Sequence, residues 1–254
     1  GARVLVTDGK PADKLAASVA AVQDLVDAGS VTLRLGEHRE EDFTRADLVV
    51  VNPAVPTPWD NPYLKAAEAA GVRLTTEIGL AIAGLPSRER TIAITGSVGK
   101  STTSAMIHHA LAAVGREVVF GGNIGGSLLG RTIHQNTWVV LELSSFMLHW
   151  LGREAWSPAV AVVTNLAPNH LDWHGDVDHY ARSKQQILRH QQPGDAAVLS
   201  ANVRSWDTVK GVGRIEIAED AGVTGLLVPG RHNALNAAVA RAAVLAALSR
   251  DGLG

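Results

Sequence analysis

Short apolar runs alternate with helix-length segments along all 254 residues, and that rhythm predicts parallel strands joined by crossover helices. In the first block the run RVLVTD at 3–8 reads as a buried strand ending in a carboxylate, followed by an alanine-rich helix over 13–28. Further strands are expected at Val31–Leu35 and 47–52, then a turn carrying Pro53, Pro56 and Pro58, then a helix over 63–70. Gly84-Leu85-Pro86-Ser87-Arg88 sets chain breakers and charge between two periodic blocks, which places a domain boundary at residue 88. The second block opens on the strand Thr91–Thr95, a glycine turn and a helix over 100–114. Strands follow at 138–143, 159–165 and 196–199, and a helix over 233–248 closes it. No repeat of fixed period interrupts the pattern. The expected fold class is α/β in two domains, 1–88 and 89–254.

Composition narrows the function classes. Hydrophobic residues make up 46% and charged residues 19% of the chain, a globular balance that argues against long disordered tails. A formal net charge of -2 supplies no basic footprint for nucleic acid. With no cysteine, neither a disulfide frame nor a thiolate metal site can form. No apolar run reaches the roughly 18 residues that a membrane helix needs, so no membrane partner and a cytoplasmic location are expected.

The strongest chemical signal follows the strand Thr91–Thr95. Gly96-Ser97-Val98-Gly99-Lys100-Ser101-Thr102 leads straight into a helix, so glycines let backbone N–H groups turn around a phosphate while the helix N-terminus adds its positive dipole end. Lys100 would neutralise the outer phosphates and the Ser101 hydroxyl would ligate magnesium. Gly96 and Gly99 enclose two residues where the common P-loop has four.

Other candidates are read from their places in the pattern. Glu142 ends an apolar strand, where a carboxylate is either a solvated end or an oxygen ligand for a hard cation. His170 follows an apolar run, at the sheet edge where ligands collect in open α/β folds. With His174 and His179 it could also form a surface patch, or a zinc set, though magnesium prefers oxygen. Lys184 falls on a helix, where a solvated lysine is the ordinary reading. Asp8 could accept from a nucleoside or cap the helix after Pro11. Asn123 stands in a glycine-rich turn.

Five ordered segments resemble the Mur ligases and their relatives, the folylpolyglutamate synthetases. They are the loop 95–102, Gly121-Gly122-Asn123-Ile124-Gly125, Glu142-Leu143-Ser144-Ser145-Phe146, Asn165-Leu166-Ala167-Pro168-Asn169-His170-Leu171-Asp172, and His232-Asn233-Ala234-Leu235-Asn236. The resemblance implies a partial Rossmann-like UDP-substrate domain over 1–88 and a P-loop ATPase-type central domain over 89–254. It implies ATP bound by Gly96 to Thr102 with Asn233 and Asn236 at the adenine, and substrate contacts from Asp8, Asn123, Ser144 and His170. It also implies magnesium held by Ser101, Glu142, His170 and a carbamylated Lys184, with Lys100, His170 and Lys184 as the catalytic set. Phe146 after the paired serines implies UDP-N-acetylmuramoyl-L-alanine and D-glutamate as substrates, joined through an acyl phosphate in peptidoglycan synthesis by a monomer.

Relative to that family the chain is expected to lack the first strand with its glycine-rich turn, and a C-terminal ligase domain, so that it would not ligate alone. The stretch 219–224 looks short for the hairpin usual there, and Asn52-Pro53-Ala54-Val55 lacks a glycine usual after the proline. Another ligase of the Mur or folylpolyglutamate type, or an ATP-binding paralogue that ligates nothing, stays open. A small-molecule kinase would need a lid and an arginine set that the sequence does not display.

Overall fold

The computed structural model describes residues 1–219, 221, 223–227 and 229–252. Of the stretch 219–224, which looks short for the hairpin usual there, Asp220 and Gly222 lie outside the described residues. The chain divides into two compact units, the first comprising Gly1–Val51 with Thr57–Thr75, the second Asn52–Pro56 with Thr76–Gly254.

In the first unit β1 (Val4–Asp8) runs parallel to β2 (Val31–Leu35), with α1 (Ala16–Ala21) and α2 (Gln23–Asp27) between them. The single helix expected over 13–28 is broken here, because Leu15 and Val22 leave the helical region. No residue of either piece is buried, and alanine-rich sequence without a packed face sustains only short helices. α3 (Glu40–Thr44), β3 (Leu48–Val51), α4 (Pro62–Ala69) and β4 (Arg73–Thr76) follow, with β3 paired to β4. α4 starts where the sequence directs: Pro62 stands in its first turn and the Asn61 carboxamide accepts from the N–H groups of Tyr63 and Leu64.

The second unit begins on α5 (Glu77–Ala83), capped by the Thr76 hydroxyl. This helix lies before the expected boundary at 88, yet Ile78, Ala81 and Ile82 enter the second unit's core, so burial moves the division upstream. β5 (Thr91–Thr95), α6 (Lys100–Ala113), β6 (Val118–Gly122), β7 (Trp138–Glu142), α7 (Ser145–Arg153), β8 (Val160–Val163), α8 (Leu171–His174), α9 (Val177–Arg189), β9 (Ala196–Ser200), β10 (Gly213–Ile217) and α10 (Arg231–Arg250) complete it.

Six strands form one parallel sheet in the order β10-β9-β8-β5-β7-β6. The alternation of side chains sorts two cores. Ala93, Val139, Leu141, Ala161 and Val163 face α5, α7 and α9, while Ile92, Ile94, Trp138, Val140, Val160 and Val162 face α6 and α10. β5 is buried at every residue, as a central strand covered on both faces must be. From β5 the chain steps out to β6, returns through β7 and then crosses to β8 on the other side. The carboxyl ends of β6, β7, β5 and β8 therefore meet on one edge at a switch in strand order, where open α/β sheets gather ligands. Among the described residues no helix is long and apolar enough to cross a membrane.

Candidate active site

Four strand ends build this edge. β5 delivers Gly96 to Gly99, whose φ values of 151° and 82° at the two glycines turn the loop into α6. Added bulk has no room here: a Cβ on Gly96 would fall on Thr164 Oγ1, and one on Gly99 would stand 2.5 Å from Asn236 Oδ1. Ser101 and Thr102 open α6 with exposed side chains. Lys100 folds back over the loop, and its Nζ donates to Gly96 O at 2.9 Å and to Ser97 O at 3.3 Å. Burial lowers its pKa, opposed by the attraction of Glu142.

Glu142 ends β7 and is 1% exposed. Asn123, just past β6, donates its Nδ2 to Glu142 Oε1 at 2.9 Å and its backbone N–H to Glu142 O at 2.8 Å. Glu142 Oε2 has no hydrogen-bond partner among the described residues. A buried carboxylate oxygen without a donor is costly in a finished protein, and it marks where a cation would be welcome.

The default reading of Lys184 as a solvated helix lysine fails. α9 packs over β5 and buries Lys184 to 2% exposure, with Nζ donating to Gly96 O at 3.0 Å and Thr95 Oγ1 at 3.4 Å, 4.6 Å from the centre of the Tyr180 ring. Desolvation, then the positive charge of Lys100, push its pKa down to about 7. A lysine in that state is largely a neutral amine at mildly alkaline pH.

His170 adopts a left-handed conformation, φ 53°, just before α8. Its exposed ring lies 5.1 Å from Phe146 edge-on and 6.5 Å from Tyr180. Ser144 caps α7, its hydroxyl accepting from Met147 N at 3.2 Å. Asn233 and Asn236 are buried on the first turns of α10, Asn233 donating to Pro229 O at 3.1 Å. Asp8 lies in the first unit and behaves there as a turn carboxylate, its Oδ1 accepting from Lys10 N at 2.8 Å. Among the described residues no three His, Asp or Glu side chains converge as a metal set, so the histidines at 170, 174 and 179 make no zinc site.

Two arrangements went unread in the sequence. His174 is buried, Nε2 at 2.9 Å from Ser145 Oγ and Nδ1 at 2.9 Å from His179 Nδ1, inside a ring cluster with Phe146 and Trp173. Asn165 grips the glycine loop, accepting at Oδ1 from Ser97 N at 3.1 Å and Val98 N at 3.0 Å while its Nδ2 donates to Val98 O at 2.9 Å. The sequence marked Asn165 only as the first residue of the segment 165–172 at the end of an apolar strand, with no role attached to it.

Residues 94–213 match the family described as the Mur ligase middle domain. The UDP-N-acetylmuramoylalanine--D-glutamate ligase of Roseiflexus sp. (strain RS-1) is 42% identical over 204 residues, 80% of this chain and 42% of that protein. The ligase of the same description from Streptococcus pyogenes serotype M49 (strain NZ131) is 36% identical over 267 residues, 93% of this chain and 56% of that protein. The chain thus spans about half the length of these curated relatives. Among solved structures, the UDP-N-acetylmuramate:L-alanyl-gamma-D-glutamyl-meso-diaminopimelate ligase from Neisseria meningitides aligns with TM-score 0.57 and 17% identity over 99% of this chain and 94% of that one. A murein peptide ligase from Psychrobacter arcticus 273-4 aligns with TM-score 0.57 and 18% identity over 98% and 68%. At such identities these two speak for the fold.

Proposed function

We propose, from the match of residues 94–213 to the Mur ligase middle domain, that the chain is the ATP-binding part of a ligase that adds D-glutamate to UDP-N-acetylmuramoyl-L-alanine in peptidoglycan synthesis. The D-glutamate assignment is supported by Glu142-Leu143-Ser144-Ser145-Phe146 and by the description that the curated relatives carry. In this reading the substrate carboxylate attacks the terminal phosphorus of ATP, ADP leaves, and an acyl phosphate forms. The amine of D-glutamate then displaces inorganic phosphate and loses a proton, leaving the amide.

The chain's own residues supply positioning and charge. The loop from Gly96 to Thr102 and Lys100 hold the triphosphate, Asn233 and Asn236 face the adenine, and Asn123 with Ser144 holds the muramoyl arm. Asp8 and His170 are assigned to substrate as well. Magnesium would be held by Ser101, Glu142, His170 and Lys184, the last as a carbamate, and would offset charge between two anionic reactants. The fit rests on the donor set, oxygen-rich once Lys184 is carbamylated, and on the buried Glu142 Oε2, which no group among the described residues satisfies. Lys184 as a neutral amine can attack CO2, form the N–C bond and release one proton, replacing a cation by an oxygen ligand.

One observation carries the proposal: a glycine loop after β5 whose lysine stands in the field of a buried, half-satisfied glutamate. Titration of magnesium-ATP into the chain tests it. Replacing Lys100 with alanine should weaken binding at least about tenfold, roughly 1.4 kcal/mol, and equal affinity for both proteins would remove the nucleotide assignment.

A further inference from the structure

We propose that Asn165 is a positioning residue of the phosphate loop, which holds the Val98 peptide so that the following amide, Gly99 N–H, is aimed at the nucleotide. The inference rests on the reading of this loop as an ATP site. Val98 O accepts twice from the β8 end, from Thr164 Oγ1 at 2.7 Å and from Asn165 Nδ2 at 2.9 Å. In a trans peptide the C=O and the N–H of the next residue point in opposite directions. Fixing Val98 O on Thr164 and Asn165 therefore turns Gly99 N–H away from them, and among the described residues no acceptor takes that N–H.

The same carboxamide divides the loop's donors into two classes. Its Oδ1 already accepts from Ser97 N and Val98 N, so these amides anchor the loop to β8 and are not the ones left for phosphate. Ser97 is tied a second time, its Oγ donating to Ala167 O at 2.8 Å and accepting from Ala167 N at 2.8 Å. What faces the ligand is the later half: Gly99 N–H, then the first amides of α6 with the dipole behind them. An asparagine suits this task because one side chain carries both an acceptor with two lone pairs and a donor. Aspartate would keep the acceptor and set a carboxylate oxygen against Val98 O.

ATP and AMP are titrated separately into the full chain, its Lys100→Ala control, Asn165→Ala and Asn165→Asp, with thermal unfolding recorded for each. Positioning by Asn165 predicts that the ATP-to-AMP affinity ratio falls by about tenfold or more in both Asn165 variants, since AMP lacks the outer phosphates that the later amides hold. Asn165→Asp retains the two anchoring N–H bonds, so it folds like the parent and still loses the ratio. A ratio unchanged in Asn165→Asp, whether or not both affinities drop together, would overturn the inference while leaving the ATP site standing. A parent chain that binds no ATP, with Lys100→Ala indistinguishable from it, defeats the site reading itself and the inference with it.

Discussion

The ammonium groups of Lys100 and Lys184 donate to one oxygen, the carbonyl of Gly96, at 2.9 and 3.0 Å. Burial, and after it the like charge of Lys100 on the same acceptor, lowers the pKa of Lys184 to about 7 from 10.5. The arrangement disfavours protonated Lys184 in the folded chain.

That depression fixes a pH dependence of stability. Between about pH 7 and 10.5 the unfolded chain carries a proton on Lys184 that the folded chain does not, so stability contributed by this residue rises with pH across the window. The penalty is fully present below pH 7. Urea midpoints of the parent and of Lys184→Met, measured from pH 7 to 10, should diverge in the parent's favour as pH rises. A constant difference would show that Lys184 titrates normally.

The carbamate has its own signature. With 13C-bicarbonate, a carbamate carbon should appear by NMR in the parent and be absent in Lys184→Gln. Restored activity of that variant in the whole ligase should come from a small carboxylic acid and not from added bicarbonate. Rescue by bicarbonate alone would contradict a carbamate on this side chain.

Gly96 is predicted to tolerate no side chain. A Cβ there would fall on Thr164 Oγ1 and approach Asn165 N to 3.2 Å, at a φ of 151°, so Gly96→Ala should destabilise by about 1–3 kcal/mol. Thr164→Ala removes the first obstacle, and the double variant should recover part of the loss. Strict additivity in a double-mutant cycle would mean that the two positions do not meet.

Acid should act through the ring cluster. Burial, followed by the charges of His179, His149, Lys184 and His170, pushes His174 down to about 3, and burial with His179 and Arg153 pushes His149 down to about 4. Both are neutral when folded and charged when unfolded below their ordinary 6.5, so stability is lost as pH falls from 6.5 toward 4 and below. His174→Gln keeps a partner for Ser145 and should flatten this loss in urea titrations between pH 7 and 4. An unchanged slope would show that His174 is not the group being protonated.

The sequence alone determined the alternating strands and helices, the β5 loop with Lys100, and the place of Glu142 at a strand end, because hydrophobic period and glycine chemistry are local properties. It could not tell that the helix over 13–28 breaks, since that depended on whether any face found a partner to pack against. Lys184 and Asn165 show the larger limit. From its place on a helix Lys184 reads as a solvated lysine, and only the family resemblance gave it another role; the packing of α9 over β5 is what buries it against Gly96 and Lys100, some 85 residues away in the chain. Asn165 joins the loop because β5 and β8 are parallel neighbours in register, Thr95 opposite Val163, which brings their carboxyl ends together. Strand order is set by tertiary packing, and it decided which residues share the site.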